Sequence, residues 1–232
     1  MKNKKVFFLI FCTIILGVVL AVGFFYIRNY IFLNTLKSEA TALSKLDVGS
    51  DRYNRKIKTG GDYVLVEKTI KEYMDNYAVL LQDTLKIKDD DKFTKILSYE
   101  NYEKDGPDFI ESLKYLSDEK TVFNNNIEKL LKMADEKEII KYGEDRISDE
   151  YYLSLYRELI LSGNMKDKFW SSKDSLVTTR DDINKKIDQS ISALTLLATN
   201  KNFWKLEDGE IKLLSQNLYD NYMAIINEVN KK

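Results

Sequence analysis

Residues 169–199, FWSSKDSLVTTRDDINKKIDQSISALTLLAT, decide the fold class. Phe169, Leu176, Ile183, Ile187, Ile191, Leu194 and Leu197 recur at intervals of three, four or seven residues. That period lines apolar side chains along one face of an α-helix. With its flanks the stripe covers about 35 residues, roughly 50 Å of helix.

The same period continues on both sides. Toward the C-terminus, Asn200-Lys201-Asn202 breaks the helix. Asp208 or Gly209 is expected to open a last helix with the stripe Ile211, Leu214, Leu218, Tyr222, Ile225 and Val229. Toward the N-terminus, Ser148 or Asp149 caps a helix carrying Tyr152, Leu155, Leu159 and Ile160, which Gly163 follows. Gly106-Pro107 is the strongest break in this part of the chain, and Asp108 after it caps a long helix from Phe109 to Ala134. Asp62 starts another, with Val66, Ile70, Tyr73, Tyr77, Leu80, Leu81 and Leu85 on one face. Asp89-Asp90-Asp91 ends it, and Phe93, Ile96 and Leu97 suggest one short helix. No alternating segment bounded by turn residues reads as a strand. One Pro and nine Gly among 232 residues leave few breakers, which favours long helices. The expected fold is all-α: an N-terminal transmembrane helix, then an antiparallel four-helix-type bundle over residues 62–232 with one or two short inserted helices.

Further out lies the apolar run Val6–Ile27, preceded by Lys2, Lys4 and Lys5. Its 22 residues make about 33 Å of helix against a hydrocarbon core of about 30 Å. Tyr26 and Tyr30 flank Arg28 where the interface would fall. Ala21-Val22-Gly23 offers a small-residue cleavage site, but Phe24-Phe25-Tyr26-Ile27 continues the apolar run past it, so an uncleaved anchor is expected. Cys12 follows Phe11 after a short apolar stretch, which rules out a lipidated cysteine there. The clustered lysines place residues 1–5 in the cytoplasm and the remainder of the chain outside. Leu36, Ala40, Leu43 and Leu46 extend the anchor as a helical stalk over 28–47, and the polar, basic stretch 48–61 reads as a linker. Gly17 and Ala21 form one small-residue pair, common in any membrane helix, so self-association stays open.

Composition excludes several chemistries. The absence of His removes the commonest base and metal ligand, and with it His-dependent zinc and di-iron sites and Ser-His or Cys-His nucleophile pairs. A single Cys allows no disulfide within one chain. Basic residues number 36 and acidic ones 37, interspersed, so no basic excess points to nucleic acid. Gly60-Gly61 lacks the Lys-Ser/Thr of a phosphate loop. Asn101-Tyr102-Glu103-Lys104-Asp105-Gly106 begins like a calcium loop, but Ser112 stands where the closing Glu belongs. Asp89, Asp90 and Asp91 read as a helix-start charge cluster, since acids favour the positive end of the helix dipole. No cofactor, metal or catalytic set is therefore expected.

Two aromatic pairs, Phe169-Trp170 and Phe203-Trp204, lie at the ends of the long stripe. Neighbouring helical residues point about 100° apart, so one of each pair can be buried and the other exposed. Trp170 and Trp204 are the candidate partner-binding residues, because Trp is enriched among interface hot spots. The expected role is a non-enzymatic envelope interaction or scaffold protein, contacting membrane lipid through its N-terminal helix and an envelope protein through its helical domain. The alternative is a ligand-sensing bundle signalling through a membrane partner.

Overall fold

The computed structural model describes residues 2–46 and 56–229, apart from the side chains of residues 2–12, Asn164 and Trp170. The described chain is mostly helical. Helix α1, Lys2–Leu43, carries the apolar run and residues 28–43 of the expected stalk as one element, and residues 44–46 form a turn after it. Helix α2 is Tyr63–Leu85, followed by a 3-10 turn at Lys86–Asp89 and the short α3, Asp91–Thr94. Then come α4, Tyr99–Asp105, α5, Ile110–Met133, α6, Glu136–Glu144, and α7, Glu150–Ile160. Helix α8, Gly163–Thr199, has 37 residues and so is about 55 Å long. A 3-10 turn, Lys201–Phe203, leads into strands β1, Trp204–Glu207, and β2, Glu210–Leu213. Helix α9 spans Gln216–Val229.

The hairpin corrects the expectation that no strand is present and that the last helix opens at Asp208 or Gly209. Trp204 pairs with Leu213, Leu206 with Ile211 and Glu207 with Glu210, antiparallel. Asp208 and Gly209 form the two-residue turn, with φ of 53° and 79°. Asp-Gly tolerates that left-handed pair, whose twist matches the flanking strands. Ile211 thus belongs to a strand.

Local side chains set several helix starts. The Asp149 carboxylate caps α7, accepting from the N–H of Tyr151 at 2.9 Å and of Tyr152 at 3.3 Å. Asp90 caps α3 through the Phe93 N–H at 2.8 Å. At α5 the expected cap, Asp108, is replaced. Phe109 takes the first position in a left-handed conformation (φ 53°) without a side-chain bond. The Asp105 carboxylate instead accepts from the N–H of Ser112 at 2.7 Å and of Glu111 at 3.3 Å. The reach from Asp105 is possible because the chain turns back on itself at Gly106-Pro107.

The chain divides into two compact units, one of Met1–Asp75 with Ile139–Lys168, the other of Asn76–Glu138 with Phe169–Lys232. In the first, Thr13 to Ile31 of α1 stands almost wholly exposed, while Leu36, Ala40 and Leu43 are buried. This helix is long and apolar enough to cross a membrane, with a mean hydropathy of 1.9 over its most apolar window. Its docked end packs against α7, and Tyr63, Val66 and Ile70 of α2 with Tyr156 and Ile160 of α7 are buried in the core of that unit. The Tyr156 hydroxyl donates to the Ile139 carbonyl at 2.9 Å, and its ring fills the space a side chain at Gly143 would need.

In the second unit, α5 and α8 run antiparallel. Lys120 pairs with Asp188 at 2.5 Å, Asn124 exchanges amide hydrogen bonds with Asn184 at 2.8 and 3.2 Å, and Asp135 pairs with Lys173 at 3.8 Å. One number rises as the other falls, which fixes direction and register. Along these helices Leu116, Phe123, Ile127 and Leu130 of α5 and Leu176, Ile183, Ile187 and Leu194 of α8 are buried. Of the expected linker, 48–61, residues 56–60 form a non-helical strap; residues 48–55, with Arg52 and Arg55, lie outside the described residues, as does Asp47 at the end of the expected stalk.

Candidate functional site

The most distinctive polar arrangement joins the docked end of α1 to the start of α2. Glu67 and Lys71 sit one turn apart on α2, beside the apolar stripe of Val66 and Ile70, and each is only 1% exposed. The Lys71 ammonium has three donors and uses them on Glu67 Oε1 at 2.5 Å, Glu39 Oε1 of α1 at 2.9 Å and the Lys56 carbonyl at 3.2 Å. Glu39 Oε2 also takes Lys58 Nζ at 2.5 Å. Two carboxylates thus face two ammonium groups.

Glu67 holds the strap. Its Oε1 accepts from the Lys58 N–H at 3.0 Å; its Oε2 accepts from the Thr59 N–H at 2.8 Å and the Thr59 hydroxyl at 2.7 Å. Burial by itself would raise the Glu67 carboxyl, but Lys71, Thr59 and the strap amides outweigh it and hold the group below the usual carboxylate range. Next along the strap, Gly60 lies against the Phe32 ring of α1 so closely that a side chain there would collide with it. Phe32 in turn packs at 6.4 Å from the Tyr63 ring. The arrangement clasps α1, α2 and the strap together. Glu67 is surrounded by donors and both carboxylates pair with Lys71, so this arrangement is suited to holding geometry.

The sequence-predicted partner residues fall elsewhere. Trp170 belongs to α8, and its side chain lies outside the described residues. Trp204 is in β1, 9% exposed, and is a core residue, the packed alternative of the two that the sequence left open. It stacks on Phe109 at 5.8 Å, and its indole N–H donates to the Leu197 carbonyl at 2.8 Å. The exposed member of the pair is Phe203, at 54%. A strand, not a helix, carries Trp204, and its register turns the larger ring inward, where Gly106 leaves room for it. Tyr102 completes this cluster, meeting Phe109 edge-on at 5.5 Å and sharing a 2.7 Å hydroxyl contact with Tyr222 of α9. Burial, with Tyr222 beside it, pushes the Tyr102 phenol well above the usual tyrosine range.

The run that begins like a calcium loop is the helix α4. Asn101 donates to the Ile96 carbonyl at 2.8 Å and to the Ser112 hydroxyl at 3.0 Å, while Asp105 caps α5. Asp90, in the acidic triplet, is occupied by its cap bond and by the Tyr115 hydroxyl at 2.8 Å.

The clasp carries little sequence signal. Glu67 and Lys71 match an ordinary surface pair at i,i+4 spacing, and only their neighbours Val66 and Ile70 hint at burial. Comparison with protein-family models, with curated proteins and with solved structures gave no match.

Proposed function

We propose that this chain is a single-span, non-enzymatic envelope protein whose helical domain, an antiparallel four-helix-type bundle outside the cell membrane, is held on its anchor as a scaffold for another envelope protein. The observation that carries the reading is the division of α1. Its apolar part from Thr13 to Ile31 is left uncovered, while its last turns are buried and clasped by Glu39 to Lys71. An apolar helix face of that length needs lipid. A buried, fully paired ionic contact specifies one arrangement of stalk and domain where loose apolar packing would allow several.

The surroundings of Glu67 and Asp90 support a structural, non-catalytic role for these two acids. A general acid at neutral pH needs a carboxyl raised toward 7, about three units above its ordinary value. Burial alone pushes Glu67 that way, yet its donors hold it low; Asp90 is held low by the Phe93 N–H and the Tyr115 hydroxyl.

The test is fractionation of tagged full-length chain from its own cells. Alkaline carbonate should leave it in the membrane pellet. Protease added to intact cells stripped of any wall should digest residues beyond the anchor. Carbonate release would overturn the anchor, and protection until lysis would reverse the orientation.

A further inference from the structure

The second unit contains an open groove of about 870 Å³ between residues 182–190 of α8, the exposed side of α9 and the segment 88–98. Its size falls in the range of built binding sites, roughly 300–1,000 Å³. Phe93, Ile96, Ile183 and Tyr222 form an apolar floor, and Ile226 and Val229 of α9 are only half covered beside it. The stripe of α9 therefore has more apolar surface than its own unit buries.

Two further features specify what would cover it. The rim carries Lys88, Lys95, Lys185 and Lys186 against only Asp182 and Glu228. Glu228 is engaged by Lys185 at 3.3 Å and Lys95 by Asp91 at 3.7 Å, whereas Lys88 and Lys186 have no ion-pair partner among the described residues. This local excess is opposite to the chain's net charge of -1. Second, Gln189 lines the groove, and its side-chain oxygen is buried with no hydrogen-bond donor among the described residues. A buried acceptor without a donor costs free energy that a ligand N–H would recover.

We infer that this groove binds an acidic amphipathic peptide segment of a partner protein. Aliphatic side chains of the segment would seat on Ile226, Val229 and Phe93. Its Asp or Glu side chains would meet Lys88 and Lys186, and a backbone or amide N–H would reach Gln189 Oε1. An anionic lipid offers the charge and the apolar part but not a row of N–H donors. Like charge on the rim disfavours a basic segment, which supplies specificity. The inference rests on the interaction-protein reading above and names its surface.

The experiment is selection of a random peptide library displayed on phage against the full chain in nanodiscs of neutral phospholipid, followed by binding of the enriched peptides in solution. Enriched sequences should interleave Asp or Glu with Leu, Ile or Phe. Their affinity should fall about tenfold or more in the double variant Lys88→Glu/Lys186→Glu and in Ile226→Asp, with helix content unchanged. Gln189→Leu should weaken binding without lowering the melting temperature, because it removes an acceptor that has no donor among the described residues. Absence of enrichment, enrichment of basic or uncharged peptides, or equal binding by the charge-reversed variant overturns the inference. So does a charge reversal that changes only capture on vesicles of anionic phosphatidylglycerol. Peptide selection does not depend on topology, so failure here leaves the membrane fractionation intact, and failure of the fractionation leaves the groove intact.

Discussion

The two units fasten their distinctive contacts by different means. In the first, Glu39, Glu67 and Lys71 bury formal charge and tie a stalk, a helix and a strap at one point. In the second, Tyr102, Phe109, Trp204 and Tyr222 bury rings, with hydroxyl and indole groups paired to neutral partners. Buried ions gain little net stability over apolar replacements but are very costly to half-remove. Buried rings stabilise through area and tolerate small changes of angle. The first arrangement therefore suits a joint that must have one geometry, and the second suits a plug that closes the end of a core.

The sharpest break of that contrast is Lys71→Met. It leaves Glu39 and Glu67 buried without their shared cation and should cost about 3–5 kcal/mol. Hydrogen exchange should show lost protection at the Lys58 and Thr59 amides, which Glu67 holds. The triple change Glu39→Leu/Glu67→Leu/Lys71→Met should recover most of the melting temperature, since it removes the charges together. If the single and triple variants lose equal stability, the clasp is ordinary packing.

Trp204→Ala should cost about 3–4 kcal/mol by opening a cavity against Phe109. Its loss should appear in the melting of the second unit and leave protection of the strap amides in place. A loss below about 1 kcal/mol would mean the hairpin does not close the core.

Acid should act on the clasp. Glu67 is held below its ordinary value in the folded chain, so its contribution is complete above the unfolded carboxyl pKa and disappears as pH falls through the folded one. Exchange at Lys58 and Thr59 should thus rise below about pH 4, ahead of exchange around Trp204. Tyr102 works in the other direction: raised by burial, its contribution is complete below the unfolded tyrosine pKa and declines as pH climbs above about 10. Simultaneous loss of both regions in acid would break the contrast.

Asp105→Ala should cost about 1 kcal/mol through the lost cap of α5. Phe203→Ala should be smallest, within about 0.5 kcal/mol, because that ring is exposed while its neighbour does the packing. Thermal melts of both variants give the order, and a larger loss for Phe203→Ala would invert the assignment of the pair.

What local pattern could tell, it told. The three-to-four spacing of Phe169 to Leu197 marks α8, because a helix repeats its faces whatever lies opposite. The Lys cluster and unbroken apolar run mark α1, because hydropathy and length are properties of the segment itself. Asp149 is legible as a cap because its partners are its own next residues. The hairpin is also local: Asp208-Gly209 between alternating residues is a turn signal, but Ile211 also falls in helical phase with Leu214 and Leu218, so the pattern there fits both a strand and a helix. The remaining features depend on contacts distant in sequence. Nothing near Trp204 says that Phe109 will stack on it, and nothing near Lys71 says that Glu39, on another helix, will share its charge. A surface ion pair and a buried one have the same spelling; only the fold decides which is in water. The sequence by itself determined most helices and the long apolar N-terminal segment, since these follow from periodicity and transfer of side chains from water. Tertiary structure alone decided which charges and rings are buried, since desolvation depends on what the rest of the chain places around them.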